Sequence, residues 1–168
     1  MIYRFSVLLV ILTSLSAGAC SSGANVDLQI KTNISEAYLA SGKVLLEIEL
    51  INNSNETITF LPWATPFEQK LTGPAYDVVD ITLTEPENVQ YLGIMIKRLP
   101  PQASDYLSIA TGDSLENSQE ISEMYKFCAN RKYSIKPRLN LRDPNGELIN
   151  NIHANMVTFE ASEIFQAC

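Results

Sequence analysis

Val44-Leu45-Leu46-Glu47-Ile48-Glu49-Leu50-Ile51-Asn52-Asn53-Ser54-Asn55-Glu56-Thr57-Ile58-Thr59-Phe60 is the most regular stretch of the chain. Val44, Leu46, Ile48 and Leu50 alternate with Leu45, Glu47, Glu49 and Ile51. A period of two is that of a strand with one face buried and the other partly wet. Asn52-Asn53-Ser54-Asn55 is a cluster of turn formers, after which Ile58 and Phe60 alternate with Thr57 and Thr59. The pattern predicts a β-hairpin made of residues 44–52 and 56–61.

The same texture extends in both directions. Residues 27–32, with Val26, Leu28 and Ile30 on one face, read as a strand. So do 76–84, 89–97 (with Tyr91, Ile94 and Ile96), 106–110, 114–121, 132–141 and 156–160. Thr72-Gly73-Pro74, Leu99-Pro100-Pro101, Thr111-Gly112-Asp113 and Asp143-Pro144-Asn145-Gly146 separate them with turn chemistry. Helical signal is confined to a single turn within residues 116–124. One all-β domain over residues 26–168 is expected, an immunoglobulin-like antiparallel β-sandwich of about 7–9 strands.

The N-terminal residues carry a different pattern. Arg4 is the only charged side chain before Asp27, and Phe5–Ala19 are apolar or small. A positive start, a short apolar run and small residues before a cut site make a secretory signal peptide over residues 1–19. The run is shorter than the roughly 20 residues a membrane span requires. Leu15-Ser16-Ala17-Gly18-Ala19-Cys20 resembles the bacterial lipobox, with Ala17 where Leu is usual. That resemblance implies lipidation of Cys20, a tether over residues 20–25 and a place in the cell envelope. In a Gram-negative host the same resemblance, with no Asp at positions 21 and 22, implies the outer membrane, facing the periplasm or the cell surface. An ordinary signal peptide with an incidental cysteine is the alternative.

Because residues 1–19 hold Arg4 and no acid, their removal leaves 149 residues with 11 basic and 19 acidic side chains. A net charge of −8 argues against nucleic acid as a partner, since phosphates demand Lys and Arg. Beyond Cys20 the cysteines are Cys128 and Cys168. Disulfides persist outside the cytoplasm. A bridge between these two would close a loop of about 40 residues and contribute roughly 4 kcal/mol, while two free thiols remain the alternative.

Several spaced residues share an order with a known family. Leu61-Pro62-Trp63-Ala64-Thr65-Pro66-Phe67-Glu68 follows the first strand pair; Tyr91-Leu92-Gly93, Lys97-Arg98, Asp105-Tyr106, Gly112 and Tyr125 come next, then the strand of Lys132-Tyr133-Ser134-Ile135. This order resembles the N-terminal, propeptide-like β-domain of deuterolysin-type metallopeptidases, the aspzincins that include peptidyl-Lys endopeptidases. The resemblance covers roughly residues 26–142. It implies a non-catalytic domain that helps a protease fold or blocks its active site. Gln69 stands where the family has Gly after the Glu.

A zinc peptidase of that kind holds its metal with His-Glu-x-x-His on a helix. The chain has one histidine, His153, and so no such pair. No Gly-x-Ser-x-Gly elbow or phosphate-cradling glycine loop is present. The expectation is a protein without catalytic residues, metal or cofactor. It would bind the membrane through its lipid and a protein partner through its surface, the partner being a secreted zinc metallopeptidase. A structural or adhesive envelope lipoprotein is the alternative.

The candidate binding residues fall in three groups. Trp63, Thr65, Pro66, Phe67 and Glu68 form an aromatic loop, with Trp63 and Phe67 as end plugs of the sandwich in the blander reading. Lys97 and Arg98 either meet an acidic partner or cap a solvated strand end. Lys132, Lys136, Arg138 and Arg142 share a face of the segment 132–142, as a docking stripe or as cations balanced by acids on a neighbouring strand. Pro137 places that segment at a sheet edge or a bulge.

Overall fold

The computed structural model describes residues 26–168. The signal peptide, Cys20 and the tether through residue 25 lie outside the described residues. Ten strands, one helical turn and one 3-10 turn follow in order: β1 (Leu28–Ile34), α1 (Glu36–Leu39), β2 (Leu45–Asn52), β3 (Ile58–Phe60), β4 (Tyr76–Asp80), β5 (Glu87–Asn88), the 3-10 turn Ala103–Asp105, β6 (Leu107–Ile109), β7 (Ser114–Glu120), β8 (Lys132–Pro137), β9 (Ile152–Ala154) and β10 (Val157–Glu160).

The strands make a β-sandwich. One sheet has the order β7-β2-β1-β9 and the other β10-β8-β4-β5, with β3 and β6 as a separate ribbon. All pairings are antiparallel except β1 with β9. The inward faces follow the period of two. Leu28, Ile30, Leu46, Ile48 and Leu50 of the first sheet meet Tyr76, Val78, Tyr133, Ile135 and Phe159 of the second in one buried cluster. The Tyr76 hydroxyl donates to Gln119 Oε1 at 3.1 Å and ties β4 to β7 across the core. Phe127, Tyr133, Phe159 and Phe165 pack edge-on and stacked at the C-terminal side, with centroids 5.1–6.1 Å apart along the chain of rings.

Four expectations are corrected. Strands 44–52 and 56–61 form no hairpin: β2 pairs with β1 and β7, while β3 pairs with β6. The chain turns a corner at Asn52, whose side chain is fully buried. Its Nδ2 donates to the carbonyls of Glu56 and Ile109, and its Oδ1 accepts from the Ser54 amide. These bonds carry the backbone out of one sheet and into the ribbon.

The segment 89–97 is not a strand. It holds a single isolated bridge, Tyr91 to Tyr125; Val89 and Tyr91 pack against the core, while Leu92, Ile94, Met95 and Ile96 are at least half exposed. The reason is local: the Tyr91 hydroxyl donates to the carbonyl of Ile94 at 3.1 Å and curls the chain around Gly93. A Cβ at Gly93 would clash with that hydroxyl, so any other residue there would displace the Tyr91 ring.

The strand predicted over 132–141 stops at Pro137. It lies between β10 and β4 over Lys132–Ile135, but β10 stops there, so Pro137 has only β4 beside it, as at a sheet edge. Proline is tolerated there because it ends the strand. His153, outside every strand expected from the sequence, lies in β9, in register with Gln29 of β1. Asn155 extends that ladder with its side chain, since Oδ1 accepts from the Thr32 amide at 2.7 Å and Nδ2 donates to the Thr32 carbonyl at 2.8 Å.

Candidate docking surface

Two motifs 30 residues apart in sequence meet in space. The loop after β3 turns at Ala64, which takes a left-handed conformation (φ 53°). Thr65 Oγ1 donates to the Pro62 carbonyl and accepts from the Phe67 amide, closing the turn. This presents Glu68 inward, 6% exposed. Its Oε2 accepts from the amides of Ala64 (3.0 Å) and Thr72 (3.1 Å). Its Oε1 accepts from Thr72 Oγ1 (2.7 Å) and from the Arg98 guanidinium. Arg98 also donates to Thr72 Oγ1 and lies 4.5 Å from the centre of the Trp63 ring, a cation–π contact. The Glu68 carbonyl accepts from Gln119 Nε2, and Asn117 Nδ2 reaches the Pro66 carbonyl, so β7 holds the loop.

The structure therefore divides the candidates on this loop. Thr65, Pro66, Phe67 and Glu68 are buried, and Phe67 packs edge-on against Phe60 in the core. Their side chains are corrected from partner contacts to internal supports. Trp63 is half-buried and Lys97 exposed. Arg98 is a clamp with its side chain 29% exposed.

What the clamp holds was not singled out from the sequence. Leu92, Ile94, Met95, Ile96 and Leu99 are all at least half exposed, reaching 77% at Met95 and 85% at Leu99. Alternating apolar residues at positions 89–97 imitate a strand, which hid this loop from the period-two reading. The signal that finds it is the lack of a polar alternate face between Leu92 and Ile96. At its root, Tyr91 packs against Tyr125 at 5.5 Å between ring centres. Burial, and then the nearby charge of Glu68, raise the Tyr91 phenol above its usual range. Burial pushes Tyr125 up to about 12.

Of the cations of the segment 132–142, Lys132, Lys136 and Arg138 face acids and Arg142 a turn carbonyl. Lys132 lies opposite Glu160 and Lys136 opposite Asp77. Arg138 Nε donates to Asp77 Oδ1 at 2.8 Å, and Arg142 Nη1 to the Gly146 carbonyl at 2.6 Å. On the same sheet Arg131 pairs with Asp80 at 2.6 Å. Burial alone would raise the Asp80 carboxyl, but two hydrogen bonds from Thr82 and the Arg131 guanidinium outweigh it and hold its pKa below the usual carboxylate value.

Cys128 and Cys168 are joined, with their Cα atoms 5.5 Å apart. His153 is exposed on β9. Among the described residues no three His, Cys, Asp or Glu side chains gather to hold a metal, and no helix is long and apolar enough to cross a membrane.

No family model matches the chain. Over 122 residues, 73% of its length, it is 25% identical to a protein of Aeromonas hydrophila described as an extracellular protease. Those residues amount to 32% of the protease, so the chain spans about a third of that relative's length. The protein is thus an all-β sandwich similar to part of an extracellular protease.

Proposed function

We propose that this chain is a non-catalytic, lipid-anchored module of the cell envelope that binds a protein partner, a secreted zinc metallopeptidase. By occluding its surface it would hold that enzyme inactive or help it fold. The observation that carries the reading is the shape of the similarity. It fills most of this chain, which has a single histidine, yet only a third of the protease. On this reading the protease would take its catalytic groups from the rest of its length. The shared third is then a companion domain, and the aspzincin-like order from Trp63 to the Tyr133 strand agrees with the propeptide-like domain of those enzymes. The apolar, open surface beyond Arg98 suits binding to a protein, since exposed apolar patches of this kind mark interaction sites.

The test is direct. Purified chain, titrated against the Aeromonas hydrophila extracellular protease, is expected to slow peptide hydrolysis or to raise refolding yield at concentrations on the order of micromolar, the weak end for interfaces of standard size. No effect on either measurement up to a hundredfold excess sinks the reading. Envelope components retained by the chain without any protease would favour a structural role instead. Anchoring is tested separately: Cys20→Ala is expected to abolish fatty-acid labelling and release the protein from membranes.

A further inference from the structure

The exposed apolar loop has a fixed place relative to the point where the chain enters the domain. Leu28 opens β1 opposite Asn52, the last residue of β2. The root of the loop lies at the other end of β2. Leu92 donates to the Met124 carbonyl, Met124 to that of Ile121, and Ile121 to that of Val44, next to the first residue of β2. The far side of the loop is fixed at the same end, through Arg98, Glu68 and Gln119, which lies opposite Leu46. Eight residues of strand separate the two ends by about 25 Å. On the anchoring reading above, the chain would enter the domain at the end of β2 opposite this loop.

The charges complement that placement. From Asn88 to Ser104 there is no acid, although the whole chain carries −7. Glu68 neutralises Arg98. Lys97 stands exposed on the loop, and Lys70 is exposed between Glu68 and Thr72, the two residues that bond Arg98.

We infer that the loop Tyr91–Leu99 is the docking element, and that it seats in an apolar groove with an acidic rim on a soluble partner approaching from the side opposite the anchor. This rests on the protein-binding reading above. The Trp63–Glu68 and Arg98 motifs act through the loop as positioning residues: they fix its shape before binding, which lowers the ordering cost of association. Lys97 steers the encounter.

The experiment measures binding of the purified full chain to the Aeromonas hydrophila extracellular protease by calorimetry and by association kinetics. Met95→Asp with Leu99→Asp is expected to weaken binding at least tenfold while leaving the unfolding midpoint unchanged, because both side chains already stand largely in water. Lys136→Ala, on the outer face of β8, is expected to leave affinity unchanged. Lys97→Glu is expected to slow association severalfold at low salt, with the difference vanishing at molar salt, where screening is complete within about 3 Å. Wild-type binding that survives the double aspartate variant overturns the loop assignment and leaves the protein-binding reading standing. No binding by the wild type overturns both. Trp63 is the only tryptophan, and quenching of its emission by vesicles of brominated phosphatidylglycerol would name a lipid surface as the occupant and overturn the inference.

Discussion

Glu68 shows how a residue type suggestive of binding can serve the fold. Its two carboxylate oxygens accept from Ala64, from Thr72 twice and from Arg98, at 6% exposure. Glu68→Ala removes both acceptor oxygens with their four bonds and leaves two amides without partners. The expected loss is about 2–3 kcal/mol, since buried donors left unpaired cost more than the net value of the bonds themselves. The partly exposed Arg98 recovers hydration and keeps the cost below that of a fully buried ion pair. Urea midpoints of wild type and variant measure it; a shift equivalent to less than 0.5 kcal/mol, about the effect of an ordinary surface change, would show that solvent replaces the clamp. Asp80 gives the corresponding acid response. Its carboxyl titrates lower in the fold than in the unfolded chain, where it titrates near 3.9. The native state therefore holds fewer protons, and the associated stability is fully present above about pH 5, then lost as the pH falls through the folded value. Asp80→Asn is expected to be less stable than wild type at pH 7 and to converge with it towards pH 2 in parallel denaturation curves. Parallel curves separated by a constant offset would remove Asp80 from the acid response.

At the scale of elements, strand faces were legible and strand partners were not. Leu46, Ile48 and Leu50 face the core as their alternation required, because burial of one face acts residue by residue. Partner choice is set by long-range contacts. The Asn52-Asn53-Ser54-Asn55 run carries the composition of a hairpin turn, yet Asn52 spends its side chain on the carbonyls of Glu56 and Ile109 and sends the chain to another sheet. The ribbon partner β6 lies 49 residues from β3 at the register Thr59–Ser108, beyond any local signal. Pro137 was read as a ladder breaker at an edge, and it does end β8 with β4 alone beside it; what the sequence does not reveal is that β10 covers the same strand as far as Ile135. β9 escaped because a parallel neighbour of three residues has no turn to announce it, and part of its ladder is supplied by the Asn155 side chain. The candidate site divides in the same way. The Trp63–Glu68 and Lys97–Arg98 motifs were visible as chemistry, but their contact across 30 residues, which turns two apparent binding motifs into one clamp, exists only in the folded chain.

The whole molecule is closed at one side by its last residue. Cys168 bonds to Cys128, and the same strip of chain is reinforced by the Ala129 amide donating to the Gln166 carbonyl and the Asn130 amide to that of Ala161. Beneath it, Phe159, Ala161 and Phe165 are buried against Phe127 and Tyr133. The bridge spans 40 residues, for which restriction of the unfolded chain gives about 4 kcal/mol, a large share of the 5–15 kcal/mol typical of a domain. Reduction is expected to lower the denaturation midpoint strongly, and Cys168→Ser to reproduce that loss without reductant. The effect should be global, because the bridged loop contains all of β8, β9 and β10 and thus a strand of each sheet. Hydrogen exchange checks this. Reduced protein should lose protection in β1 and β2 along with β10. Loss confined to residues beyond 157 would instead make the bridge a local clasp on the chain end.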